Sequence, residues 1–554
     1  MHDLATLRAG GYRDAGLTKL KLTEPLDECP PEMFDVGIAS TLEILDLSGT
    51  GLAALPADLG TRLPRLRIAF FSNCKFTTFP SVALAGVRRL EMVAFRNNGM
   101  QGFDKTSADD VAFPPELRWL ILTDNRLTHI PASIGRCKRL EKCMLAGNQL
   151  EGLPDAMASC QNLTLLRLAA NKLQTLPPWL LTMPKLAFLS FAGNPCSSNV
   201  SSHDTSSGLP QSTLITSSTL QSTLPHVDWN EIEIHHVLGE GASGIISKGT
   251  IRSGNTSVAA SRGPSGTATP ALSISGSSDL PTSSSLSPFF ASTAATSASD
   301  SPLSSSLALS ASTPVAVKIF RGALTSDGTP YDEMAACLAA GQHVNLVQVH
   351  GQVRWSEDED ADENAKKASP PAFRGGLIME LIPPQYRVLG QPPSFDSCTR
   401  DCFDSSLADS RLPVSAALAI LSGVASAAAH LHDRGIAHGD LYAHNILVSH
   451  GASAGDNASD DKDAKDATHA ILSDFGAATL YGLGGRSDIP TDLEKLEVLA
   501  FAHLIDDVLG LMSEEPTVRQ QLLVLHQQCI VPDVAKRPTF SMLVSELATL
   551  QASA

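Results

Sequence analysis

Between residues 17 and 194 the chain repeats one arrangement of apolar positions: leucine, two variable residues, leucine, one variable residue, leucine. Leu42, Leu45 and Leu47 set it out, and copies restart at Leu66, Leu90, Leu117, Leu140, Leu163 and Leu186, with a degenerate copy at Leu17. The spacings are 25, 24, 24, 27, 23, 23 and 23 residues. Alternation over so few positions predicts a short strand in each copy. The fixed period predicts that the strands stack, with the leucines buried between neighbouring copies. Asn98, Asn125, Asn148, Asn171 and Asn194 recur at one place in the period, where an amide satisfies backbone groups of adjoining turns; Thr50 and Cys74 stand there in two earlier copies. A proline closes several turns (Pro56, Pro80, Pro131, Pro154 and Pro177).

This segment resembles a leucine-rich-repeat solenoid of the α/β type, with about eight repeats over 17–195 and a lead-in over 1–16. In such a solenoid the residue between the second and third leucines faces the concave side. Here it is Asp46, Phe70, Ala94, Ile121, Met144, Arg167 and Ser190 in turn. Phe70, Ile121 and Met144 are large apolar groups at positions expected to be exposed, which points to a protein partner on that face.

The pattern stops at Asn194-Pro195. Residues 196–228 turn to Ser, Thr, Pro and Gln, too few apolar groups for a core, and read as a disordered linker. Alternation returns from Trp229: Ile232 to Leu238 reads as a strand running into Gly239-Glu240-Gly241-Ala242-Ser243-Gly244-Ile245-Ile246. A Ser/Ala/Thr/Pro tract over about 253–313 reads as a disordered insertion between strands, tolerable because loop entropy grows only logarithmically with length. Val315-Ala316-Val317-Lys318-Ile319-Phe320 is the next strand. A helix is expected around Asp332 to Leu338, and Leu377 to Ile382 is another strand. Further on come His438-Gly439-Asp440-Leu441-Tyr442-Ala443-His444-Asn445 and, after the strand-like Ala470-Ile471-Leu472, Asp474-Phe475-Gly476. Lys536-Arg537-Pro538-Thr539-Phe540 lies near the end.

Over 229–550 these motifs, in this order, resemble a eukaryotic-type protein kinase: a glycine-rich loop, a V-A-I-K strand, an H-R-D-L-x-x-x-N loop, a D-F-G turn and a closing R-P-T-F signature. The resemblance implies a two-lobed α+β kinase fold and transfer of the γ-phosphate of MgATP to a protein hydroxyl, serine or threonine ahead of tyrosine. It implies Asp440 as general base, Lys318 and Glu333 as the phosphate-positioning pair (Asp332 being the neighbouring alternative), and Asn445 and Asp474 as Mg2+ ligands. The nucleotide would lie against Leu238, Gly239, Glu240, Gly241, Ala242, Ser243, Gly244 and Ile246, with Met379 as gatekeeper and Glu380 to Ile382 at adenine. Three departures stand out. Gly439 replaces the arginine of H-R-D, Tyr442 replaces the lysine beside the γ-phosphate, and no A-P-E follows Gly476. The orphaned Arg537 is therefore expected to pair with Asp492, Glu494 or Glu497, Glu494 first.

A net charge of −17 argues against duplex nucleic acid as a partner. The apolar run Val414 to Ala429 is Ala- and Ser-rich and sits where a kinase has a buried helix, so no membrane span is expected. Ten cysteines without a tight framework, and no secretory pattern in the first twenty residues, predict reduced thiols and a cytoplasmic protein. The rival expectation is a nucleotide-binding pseudokinase scaffold working through its repeats. The filled phosphate and metal positions favour the enzyme.

Overall fold

The computed structural model describes residues 2–104, 113–197, 224–241, 243–252, 313–321, 324–325, 327–355, 375–403, 411–449, 468–481 and 492–553. Most of the stretch read as linker, residues 253–312 of the stretch read as an insertion, two acidic tracts (356–363 and 456–466), Ala242 and residues 482–491 lie outside these.

The repeats form an eight-stranded parallel sheet, with a separate two-stranded pair of Thr78–Phe79 and Gly102–Phe103. The strands of the larger sheet are β1 (Lys19–Lys21), β2 (Ile44–Asp46), β3 (Ile68–Phe70), β4 (Met92–Ala94), β5 (Trp119–Ile121), β6 (Lys142–Met144), β7 (Leu165–Arg167) and β8 (Phe188–Ser190), paired in chain order. The leucines face inward and are sealed from solvent. The recurrent asparagines do what their period predicts. The Asn148 amide donates to Leu122 O and Leu145 O at 2.9 Å and accepts from Leu127 N at 3.1 Å, and Asn171 and Asn194 repeat the arrangement. Where Thr50 and Cys74 replace Asn, their Oγ1 and Sγ both donate to Leu47 O.

A mixed six-stranded sheet follows, built from β9 (His226–Asp228), β10 (Ile232–Gly241), β11 (Gly244–Ile251), β12 (Pro314–Phe320), β13 (Val349–Arg354) and β14 (Gly376–Glu380). The order across it is β9-β13-β14-β12-β11-β10. The first strand begins inside the stretch read as linker, because Val227 fills an apolar slot beside Val353. Helix α1 (Pro330–Ala340) packs beside this sheet, capped by Thr329 Oγ1, which accepts from Asp332 N.

Beyond it lie helices α2 (Val414–His432), α3 (Asp492–Leu511), α4 (Pro516–Cys529) and α5 (Phe540–Ser553). Among the described residues α2 alone is long and apolar enough to cross a membrane, and 61% of its apolar stretch is buried inside the protein. No disulfide joins any of the ten cysteines, and eight of them are buried.

The two parts share a core. One apolar cluster contains Met92, Trp119, Met144, Leu165 and Phe188 of the solenoid together with Leu441, Tyr442 and the buried face of α2. A second joins the repeat leucines to Leu493 and Leu496 of α3 and to Val534. The concave face is therefore not free for an outside partner as expected. Met144 is 7% exposed, and Phe70 and Ile121 pack on the same shared cluster. What covers the apolar column is this chain's own C-terminal part.

Candidate functional site

One cleft opens between the six-stranded sheet and the helical part, lined by Lys318, Glu333, Asn445, Ser473 and Asp474 at its polar end. Leu238, Ala316, Val349, Met379, Ile382 and Leu447 line its apolar end. Lys318 sits on β12, where alternation turns it inward, and its Nζ forms an ion pair with Glu333 in the first turn of α1. Burial alone would strip the ammonium of its proton, but the Glu333 and Asp474 carboxylates outweigh that and hold the pKa of Lys318 above its usual value.

The glycine-rich segment is a hairpin with Gly241 opposite Gly244 and Gly239 opposite Ile246. Leu238, Gly241, Ser243, Gly244 and Ile246 line the cleft, whereas Gly239 and Glu240 do not, and the Glu240 carboxylate faces outward to Arg321 at 2.7 Å. Gly244 is required for packing, because a Cβ there would lie 2.2 Å from Ile319 O. Ala242 lies outside the described residues.

The loop from His438 to Asn445 is held from below by Glu497 of α3, which is 4% exposed. Its carboxylate accepts from Gly439 N at 2.5 Å and His438 N at 3.1 Å, and it bonds His432 Nε2 at 2.7 Å. Asn445 Nδ2 donates to Asp440 Oδ2 at 3.0 Å and to Asp440 O at 2.9 Å, fixing the Asp440 carboxylate. His444 bonds Asp401 Oδ1 at 2.7 Å. Burial opposes its proton, yet the Asp401 bond and the charges of Asp401, Asp440 and Asp474 raise its pKa.

The solenoid completes this site. Arg167, the last residue of β7, is 2% exposed. It donates from Nε to Asp327 at 2.8 Å and from Nη1 to Gly439 O at 2.8 Å, and its Nη2 pairs with Asp440 Oδ1. Phe188 of β8 stacks on Tyr442, with ring centroids 3.8 Å apart. The reason for glycine at 439 is now visible. Its φ is +74°, and a Cβ would meet Ala477 O at 2.6 Å and Leu189 O of the solenoid at 2.9 Å. Gly439→Ala is expected to destabilise the chain by at least about 1–2 kcal/mol, the penalty for a side chain in the left-handed region, before any contribution from the clash. Thermal melting checks this, and an unchanged midpoint would contradict it.

Arg537 has the partners that sequence reasoning missed. No carboxylate among the described residues bonds it. Instead Nε donates to Val531 O at 3.0 Å, Nη1 to Lys495 O at 3.2 Å and Nη2 to Pro184 O at 2.8 Å. Burial lowers its pKa to about 10. Glu494 bonds Tyr481 at 2.8 Å instead, and Glu497 serves the loop. Backbone carbonyls fill the donors of the guanidinium without supplying a counter-charge, and no sequence pattern announces them.

Asp474 stands at φ +61°, a strained position of the kind that clusters at functional turns, and Gly476 N braces its Oδ1 at 3.0 Å. Asn445 Oδ1 is buried without a hydrogen-bond partner. An unsatisfied acceptor facing the same cleft as a carboxylate suits a hard divalent cation that binds oxygen. No cluster of three or more His, Cys, Asp or Glu side chains suited to a metal occurs among the described residues. A cation here would thus take its remaining ligands from phosphate and water.

Comparison with known proteins gives two partial matches. Residues 115–173 match the leucine-rich-repeat family model. Residues 401–503, which contain the loop from His438 to Asn445 and Asp474, match the lipopolysaccharide kinase (Kdo/WaaP) family model. No curated protein matches the chain in sequence. A solved leucine-rich-repeat protein of Leptospira interrogans is 26% identical over 32% of this chain; the match spans 49% of that protein, at a TM-score of 0.26. The chain thus carries leucine-rich repeats and, behind them, a region similar to a kinase family.

Proposed function

We propose that the chain is an ATP-dependent phosphotransferase whose C-terminal part, from residue 229 to about 550, has the two-lobed protein-kinase fold. The observation that carries this reading is the pairing of Lys318 with Glu333 across one cleft from Asn445 and Asp474, with Asp440 held on the same loop as Asn445. Met379 and the backbone from Glu380 to Ile382 form the apolar end, a fit for a purine base. Lys318 is charged and aimed at the polar end, where it would neutralise phosphate oxygens, and Glu333 fixes its direction. Asn445 and Asp474 would hold Mg2+, which spreads the charge that develops on the transferred group. Asp440 would accept the proton of the attacking hydroxyl, with Asn445 and Arg167 fixing the plane of its carboxylate.

The proposed acceptor is a protein serine or threonine, on the strength of the motifs. A competing acceptor comes from the family match over 401–503, whose description names lipopolysaccharide. The repeats in this reading do not hold a substrate on their concave face, since that face is packed within the chain. The proposed setting is the cytoplasm. The second reading, a nucleotide-binding scaffold, draws on Asp440 already sharing an ion pair with Arg167.

The test offers the full chain γ-labelled MgATP with a generic protein acceptor and, separately, with lipopolysaccharide. Label on the protein is the expected result. Label on the saccharide alone would move the acceptor class, and label on neither would defeat phosphoryl transfer.

A further inference from the structure

We propose that Arg167, supplied by the solenoid, is a positioning residue for Asp440, and that the solenoid is a permanent wall of the phosphotransfer site. This rests on the reading given under Proposed function.

Three observations meet here. First, Arg167 uses all three of its nitrogens on groups outside the solenoid, spanning the loop before α1 at Asp327 and the loop from His438 at Gly439 and Asp440. An arginine fork with two acids and a carbonyl has one orientation, and so therefore does the Asp440 oxygen it holds. Second, the same face grips the approach to α1. Ser190 Oγ donates to Asp327 O at 3.1 Å and Arg96 Nη2 to Leu324 O at 3.3 Å, and Gly193 lies against Asp332, one residue before Glu333. The helix that presents Glu333 to Lys318 is thereby braced from the solenoid side. Third, the loop from His438 to Asn445 contains no Lys or Arg of its own. Gly439 and Tyr442 bring none, and a side chain at 439 would strike Ala477 O and Leu189 O.

The alternative is a detachable cover that silences Asp440. Its packing argues against that. Phe188, Leu165, Met92, Trp119 and Met144 are each under 10% exposed and belong to the same apolar cluster as Tyr442 and α2, so lifting the solenoid would open a core. Interfaces of this character resemble a domain interior cut in two and do not part readily. A carboxylate also keeps lone pairs beyond those that Arg167 and Asn445 occupy, so Asp440 can still take a proton.

The experiment uses the full chain with Arg167→Ala and Arg167→Lys, following kcat, KM for ATP, ATP affinity and melting. Arg167→Ala is expected to lower kcat by about 10²-fold, the scale for misplacing a catalytic group, with ATP affinity unchanged. Free guanidinium should restore part of the loss. Arg167→Lys keeps the charge but cannot bridge all three partners; kcat should fall by roughly tenfold, a smaller misplacement on the same scale. If the alanine variant does not fold, the lysine variant decides. A kcat equal to or above that of the parent in the folded variant overturns the positioning role, and an increase identifies a cover. A parent that binds ATP without any transfer overturns the phosphotransfer reading itself, a different result from an active parent indifferent to Arg167.

Discussion

Asp440→Asn is expected to bind ATP as the parent does and to lose about 10²–10⁴ in turnover, the usual effect of removing a positioned base. The substitution keeps shape and keeps an oxygen for Asn445 Nδ2, but its amide nitrogen then faces Arg167 Nη2, so the disturbance falls on that one contact. Arg167 loses one of its two acids but retains Asp327 at 2.8 Å and Gly439 O at 2.8 Å, so its guanidinium is not stranded. A melting midpoint lowered only by the loss of one charge-assisted bond, about 1–3 kcal/mol, together with a collapsed kcat is therefore the expected pair of results. Equal turnover in the two proteins would remove Asp440 from the mechanism.

The second large effect lies beneath the loop. Glu497 is 4% exposed and its carboxylate serves two backbone amides and His432 at once. Glu497→Gln keeps one acceptor oxygen and brings two amide hydrogens into a pocket of donors. A destabilisation of about 3 kcal/mol or more follows from losing charge-assisted bonds and leaving buried donors unmet. The pH dependence has a definite sign. Burial pushes the Glu497 carboxyl up, but the His432 bond, the nearby His432 and His438 and the Gly439 amide together bring its pKa below the usual value. A group depressed in the folded state adds stability above its unfolded value of about 4.3 and loses it as pH falls through the folded value. The gap in melting temperature between parent and variant should thus be full at neutral pH and narrow on acidification. A gap independent of pH would show that the carboxylate charge plays no part.

How far these arrangements were legible in the sequence depends on the range of the contacts. The repeats were plain, because each leucine answers to a neighbour some 23 to 27 residues away and the period writes itself into the chain. Lys318 and Glu333 meet as the alternation of one strand and the reading of one helix paired them. Arg167 was visible only as the basic member of the residues between the second and third leucines. Its partners lie 160 and 273 residues further on, and nothing periodic links them. The same distance hid the fate of Phe70, Ile121 and Met144, whose apolar surface did signal a covered face but not that the cover belongs to the same chain. Arg537 meets no acid because three carbonyls surround it, one from the solenoid at Pro184, and a contact to the backbone of a distant segment leaves no mark in the sequence. Gly439 was read as a lost arginine. Its positive φ and the closeness of Leu189 O show a position where no side chain fits.

The cleft between the sheet and the helices is proposed to transfer phosphate from the nucleotide it holds. A single-turnover experiment tests it most directly: the full chain is loaded with γ-labelled ATP, then mixed with Mg2+ and acceptor, and the label is followed with time. The label is expected to leave ATP and appear in a phosphoester of the acceptor, faster than with Asp440→Asn by about 10²–10⁴. Label that stays on ATP throughout, while the nucleotide remains bound, would contradict it.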